Sequence, residues 1–177
     1  MSSQNINKDL LEIIGKYPKT FLLMDEGSAI HCRSIIGDIP ALTEDNTIVI
    51  PQGDDHKNAE NALRIWNFLS SHGATRNSLL INLGGGMICD LGGFCASTFK
   101  RGMDFVNVPT TVLAQVDASL GGKTGMNLGH LQTAIGVFSM ARYVLICRDF
   151  LKTLDTANIL SGFAERIKHA RIYDSTS

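Results

Sequence analysis

The stretch LLINLGGGMICDLGGF, Leu79 to Phe94, decides the fold. Five largely apolar residues run into Gly84, Gly85 and Gly86, and a segment of helical character follows. A short run that is apolar on both alternations reads as a strand covered on both faces, as in a parallel sheet with helices above and below. Glycines at the carboxyl end of such a strand let the backbone approach a pyrophosphate, and the free N–H groups opening the next helix favour that anion. The same glycines also serve plain strand-to-helix turning. The strict GxGxxG fingerprint is not met, because the third position counted from Gly84 is Cys89. Gly92 and Gly93, one turn on, favour close packing of the helix on the sheet or on a ligand.

Working outward, four more runs share this character: FLLMD (Phe21 to Asp25), TIVIP (Thr47 to Pro51), FVNVP (Phe105 to Pro109) and YVLIC (Tyr143 to Cys147). Between TIVIP and LLINL, the segment KNAENALRIWNFLSSHG repeats Ala62, Ile65, Trp66 and Leu69 at helical spacing, with Gly73 placed to end it. Strand, helix, strand implies a right-handed parallel crossover. The expectation is an α/β fold: a Rossmann-like, open, mainly parallel sheet flanked by helices, with ligands at the carboxyl ends of the strands. Residues 1–154 form this domain. From Asp155 the pattern changes to a helix with Ile159, Leu160, Phe163 and Ile167 on one side, so residues 155–177 read as the first helix of a further α-helical domain.

The chain has 177 residues, 44% hydrophobic and 19% charged, with a formal charge of −1. This composition suits an ordinary globular domain and supplies no general field for nucleic acid or an anionic membrane. Cys32, Cys89, Cys95 and Cys147 share no CxxC spacing and read as reduced core thiols. The amino end lacks a basic start followed by an apolar block, and no segment approaches the roughly 20 apolar residues of a bilayer span, so a cytoplasmic location is expected.

In VPTTVLAQVDASLGGKTGMN, Thr110 and Thr111 stand directly after a strand, where their hydroxyls either cap the following helix or bond a nucleotide. Lys123 sits in a Gly-Lys-Thr sequence that is not a Walker loop, because the glycine required five positions earlier is Asp117. A lysine beside Gly121 and Gly122 has open access to an anion. Glu165, Lys168 and His169 share one helical face, a pattern that suits a metal ligand pair or a solvated face equally. His31, His56, His72 and His130 form no close pair in sequence and read as surface or core residues.

The block GGGMICDLGGFCASTFKRGMDFVNVPTTVLAQVDASLGGKTGMN and the later TLDTANILSGFAERIKH resemble the amino-terminal part of the 3-dehydroquinate synthases. The resemblance implies NAD held by Gly53, Asp54 and Lys57 near a ribose, by Gly84, Gly85, Gly86, Met87 and Asp90 at the pyrophosphate, and by Thr110 and Thr111. It implies that Lys123 serves the cofactor and the sugar-phosphate substrate, with Asp117, Asn127 and Lys168 as active-site partners. Arg101 would reach the substrate phosphate of a neighbouring subunit in a homodimer. Glu165 would be the first ligand of a divalent metal, zinc or cobalt. Two departures stand out: Gln132 and Thr133 occupy the places of a lysine and an asparagine, and the metal's remaining ligands belong to a domain beyond this sequence. Besides the synthase, the residues admit a non-catalytic nucleotide-binding or dimerising module, and, less well, a metal-dependent polyol dehydrogenase of related architecture.

Overall fold

The computed structural model describes residues 2–154. Five strands, β1 (Thr20–Asp25), β2 (Thr47–Ile50), β3 (Leu79–Gly84), β4 (Asp104–Pro109) and β7 (Tyr143–Val144), form one sheet in the order β2-β1-β3-β4-β7. All four pairings are parallel. Alternation sorts the side chains: Leu22 and Met24 of β1 enter the core on one face, Phe21 and Leu23 the core on the other. The first face is covered by α1 (Ser3–Ile14), whose Ile6, Leu10, Ile13 and Ile14 recur at helical spacing. The second is covered by α3 (Ala59–Ser71) and α4 (Gly86–Thr98). The short α2 (Glu26–His31) begins directly at the end of β1.

Local chemistry explains the helix ends. Asn58 caps α3 by accepting from the Asn61 N–H at 3.0 Å. At the other end Gly73 takes φ 72°, and the Ala74 N–H returns to the Leu69 carbonyl in a Schellman closure. Gly92 is required by close approach, since a Cβ there would run into the Asn82 amide and Leu23 of the sheet. Gly92 therefore serves packing on the sheet.

Three features depart from the sequence reading. YVLIC supplies a ladder of only two residues, because the Gln115 carboxamide takes the Pro109 and Cys147 carbonyls at 3.1 Å each and ties these chain ends together itself. The segment after Thr111 is helical as expected, but Ala114–Ala118 winds as a π turn. Lys123 opens a hairpin that the sequence reading did not foresee: β5 (Lys123–Leu128) pairs antiparallel with β6 (Leu131–Phe138), closed by Gly129-His130. β5 packs on α4, with Thr124 against Gly93. All four cysteines are buried thiols outside any disulfide, as expected. Among the described residues no helix is long and apolar enough to cross a membrane.

Candidate active-site cleft

The carboxyl ends of β1, β2, β3 and β4 open into a cleft of about 430 Å³. Gly85, Gly86 and Met87 line it from the start of α4, and Thr110 and Thr111 line it from the end of β4. Strand order changes direction here: the chain passes from β1 to β2 on one side and from β3 to β4 on the other, which is where open α/β sheets bind ligands. Gly85 caps α4 without a side chain, and the first turn of that helix carries no acidic residue. Its opening N–H groups and the positive end of its dipole therefore remain available to an anion. The triple-glycine turn and the threonine pair thus meet in one cleft.

Gly53 and Asp54 line the same cleft from the turn after β2. Asp54 belongs to a polar cluster around Lys57, whose side chain is 8% exposed. Lys57 Nζ lies 3.2 Å from Asp54 Oδ1 and 3.3 Å from Asp90 Oδ2. Burial pushes the Asp90 carboxyl up to about 6, with Lys57 opposing that shift and Asp54 and Asp117 adding to it. Asn127, at a register shift in the hairpin, donates from Nδ2 to the Asp54 backbone carbonyl and to Asp54 Oδ2, both at 3.1 Å. Its Oδ1 accepts from the Thr133 N–H at 2.8 Å. The hairpin is thereby linked to the residue that lines the cleft.

A family model described as 3-dehydroquinate synthase N-terminal matches residues 47–161. The chain belongs to the 3-dehydroquinate synthase family. It is 50% identical over 157 residues to a 3-dehydroquinate synthase of Parabacteroides distasonis, covering 89% of this chain and 44% of the relative. To that of Pyrococcus furiosus it is 53% identical over 123 residues, covering 70% of this chain and 36% of the relative. The chain therefore spans less than half the length of these relatives. Among solved structures, a 2-deoxy-scyllo-inosose synthase complexed with carbaglucose-6-phosphate, NAD+ and Co2+ matches with a TM-score of 0.81 at 21% identity, covering 92% of this chain and 45% of that one. At this identity the likeness speaks to the fold.

Within this 3-dehydroquinate synthase fold the remaining expected residues are spread out. Lys123 is exposed at the head of β5 and does not line the cleft. Asp117 is exposed on the π turn. Arg101 lies beyond the opposite, amino-terminal end of the sheet, where it lines a separate cavity with Arg76 and Asp104. It holds φ 68°, and Lys100 before it φ 48°. Glu165, Lys168 and His169 lie outside the described residues, as does the helix expected over 155–177. Among the described residues no three metal-ligating side chains gather.

The sequence reading passed over Asp25, Gly27, Ser28 and Gln52, which also line the cleft, as does His31, read from the sequence as a surface or core residue. Asp25 closes the apolar run FLLMD, but it stands beside the glycine-ended strand only through the sheet order β2-β1-β3, which no local pattern of the sequence carries. In this chain Asp25 Oδ1 also accepts from the Ser28 N–H at 2.7 Å and caps α2.

Proposed function

We propose that this chain is the NAD+-binding half of a 3-dehydroquinate synthase, which cyclises 3-deoxy-arabino-heptulosonate 7-phosphate with loss of phosphate. The observation that carries the reading is the uncapped start of α4 opening into the cleft between Asp25 and Thr110. The residues fit a dinucleotide: N–H groups for the diphosphate, carboxylates at Asp25 and Asp54 for ribose hydroxyls, and hydroxyls at Thr110 and Thr111. Bound NAD+ supplies reversible hydride transfer at a secondary alcohol, so the net reaction is elimination and ring closure without net redox.

The chain's own residues bind and orient. Gly84, Gly85, Gly86, Met87 and Asp90 form the diphosphate seat, and Lys57 keeps Asp54 and Asp90 compatible with an incoming anion. Asp117, Lys123 and Asn127 form the side of the substrate site that this half contributes. Residues 1–154 are the binding domain, and 155–177 open the helical domain that carries Glu165 and Lys168. Glu165 would contribute to a divalent metal site, for which the described residues offer no ligand set of their own. Arg101 faces away from its own cleft and is assigned to the neighbouring subunit's substrate phosphate in a cytoplasmic homodimer.

A second reading, a nucleotide-binding module without chemistry, is favoured by one observation. Gln132 replaces an ammonium with a neutral amide, and losing a charge-assisted hydrogen bond weakens binding by on the order of 1.5–3 kcal/mol. Two assays separate the readings. Calorimetric titration of the 177-residue chain with NAD+ should give one saturable site, and no binding would defeat both. Phosphate release from the heptulosonate, measured with zinc, NAD+ and a helical half supplied in trans, supports the synthase, and NAD+ binding without release supports the module.

A further inference from the structure

Asn127 stands where the ladder of the hairpin is interrupted. Met126 pairs with Ile135 and Leu128 with Leu131, so this residue of β5 faces a bulge of Gln132, Thr133 and Ala134 in β6. Bulges re-aim side chains, and here the amide turns both ways. Its Oδ1 accepts from the Thr133 N–H at 2.8 Å, where Thr133 holds φ 48°. Its Nδ2 donates to Asp54 twice, to the backbone carbonyl and to Oδ2, at 3.1 Å each. The Asn127 backbone N–H adds a bond to the Lys57 carbonyl at 2.7 Å. One residue thus closes the bulge and grips both ends of the short turn after β2.

The consequence falls on Asp54, whose side chain is 51% exposed and which lines the cleft. Lys57 Nζ lies 3.2 Å from its Oδ1, and Asn127 Nδ2 lies 3.1 Å from its Oδ2. Each carboxylate oxygen therefore has its own partner, one from the turn itself and one from the hairpin. A half-exposed carboxylate on a surface turn otherwise samples several rotamers, and a ligand must then bear the cost of ordering it. We propose that Asn127 is a positioning residue that acts through Asp54. It fixes that carboxylate before a ligand arrives, and its bond to Thr133 ties occupation of the cleft to order in the hairpin. The link is reciprocal: a ligand that holds Asp54 steadies the strand on which Lys123 stands, and a firm hairpin tightens the ligand.

The proposal rests on the dinucleotide reading of the cleft, and titration calorimetry of the 177-residue chain with NAD+ separates the two. Asn127→Ala should weaken NAD+ by about three- to tenfold, the effect of one lost hydrogen bond. Asp54→Ala should weaken it at least as much, and the Asp54→Ala/Asn127→Ala pair no further than Asp54→Ala alone. Asn127→Asp keeps the size and the acceptor for Thr133 but turns a second carboxylate on Asp54, so it should bind NAD+ more weakly than Asn127→Ala. A residue that merely fills the bulge would give the opposite order. Residue-resolved hydrogen exchange reads the link in the wild-type chain itself: saturating NAD+ should slow exchange of the Thr133 amide, and Asp54→Ala should abolish that slowing. Unchanged affinity in Asn127→Ala, additive losses in the double variant, tighter binding by Asn127→Asp than by Asn127→Ala, or a Thr133 amide indifferent to NAD+ would each overturn the proposal while leaving the cleft a dinucleotide site. A wild-type chain that does not bind NAD+ overturns the dinucleotide reading and this proposal together.

Discussion

Asp90 sits one turn into α4 with Lys57 on one side and the carboxylates of Asp54 and Asp117 within electrostatic reach. Burial dominates and lifts its titration from an ordinary 3.8 to about 6. A carboxyl raised in the folded state holds a proton that the unfolded chain has already released. Its contribution is fully present below about 3.8 and is lost as pH rises through about 6. Asp90→Asn should therefore be more stable than wild type at pH 7 by on the order of 2 kcal/mol, with the difference vanishing near pH 4. Urea denaturation at both pH values checks this, and a variant less stable at pH 7 would contradict it. Thr133 presents a different strain, a β-branched residue at φ 48° where asparagine is tolerated and threonine is an outlier. Thr133→Asn should stabilise the chain by about 1 kcal/mol, read as a rise of about 2–4 °C in Tm. Neither effect was legible beforehand. The sequence shows that a residue is aspartate or threonine, whereas burial and φ arise only when distant segments meet.

At the scale of elements, β3 and β4 are joined by more than their ladder. Asn82 and Asn107 stand opposite each other in the register, both buried, and Asn82 Nδ2 donates to Asn107 Oδ1 at 3.0 Å. Asn107 Nδ2 lies 3.4 Å from the Ser119 carbonyl that closes the π turn. Asn107→Ala should cost about 2–3 kcal/mol, because it leaves the Asn82 amide unpaired as well as opening a small void. The Asn82→Ala/Asn107→Ala pair should cost less than the sum of its single variants by chemical denaturation. On the other side of Asn82, Gly92→Ala in α4 should destabilise by more than about 2 kcal/mol, since its Cβ meets sheet atoms that cannot move freely. Chemical denaturation should also show part of that loss restored by Asn82→Ala, which removes the amide the new methyl group strikes. The strands and α3 were visible in the sequence because their periodicity is local. α1 carried an equally plain stripe at Ile6, Leu10 and Ile13 that was passed over. The hairpin was hidden because KTGMNL and LQTAIGVF do not alternate cleanly, and glycines Gly125 and Gly136 face each other where the strands approach closely.

For the molecule as a whole, the cleft needs only the α/β layers, and the described residues contribute no metal ligand set. NAD+ affinity should accordingly be the same with and without a chelator such as EDTA, as measured by titration calorimetry. A marked fall on chelation would place a metal within the dinucleotide site. The sequence by itself determined the parallel sheet, the glycine turn after β3 and the threonine pair after β4, because apolar runs, glycine and strand-end hydroxyls act within a few residues of themselves. Only the tertiary structure decided that Asp25 and Gln52 share the cleft, that Asn127 reaches Asp54, and that Lys123 and Arg101 are not among the residues lining it. Those relations join residues far apart in the chain, and the sheet order that brings them together is set by long-range packing rather than by any local pattern.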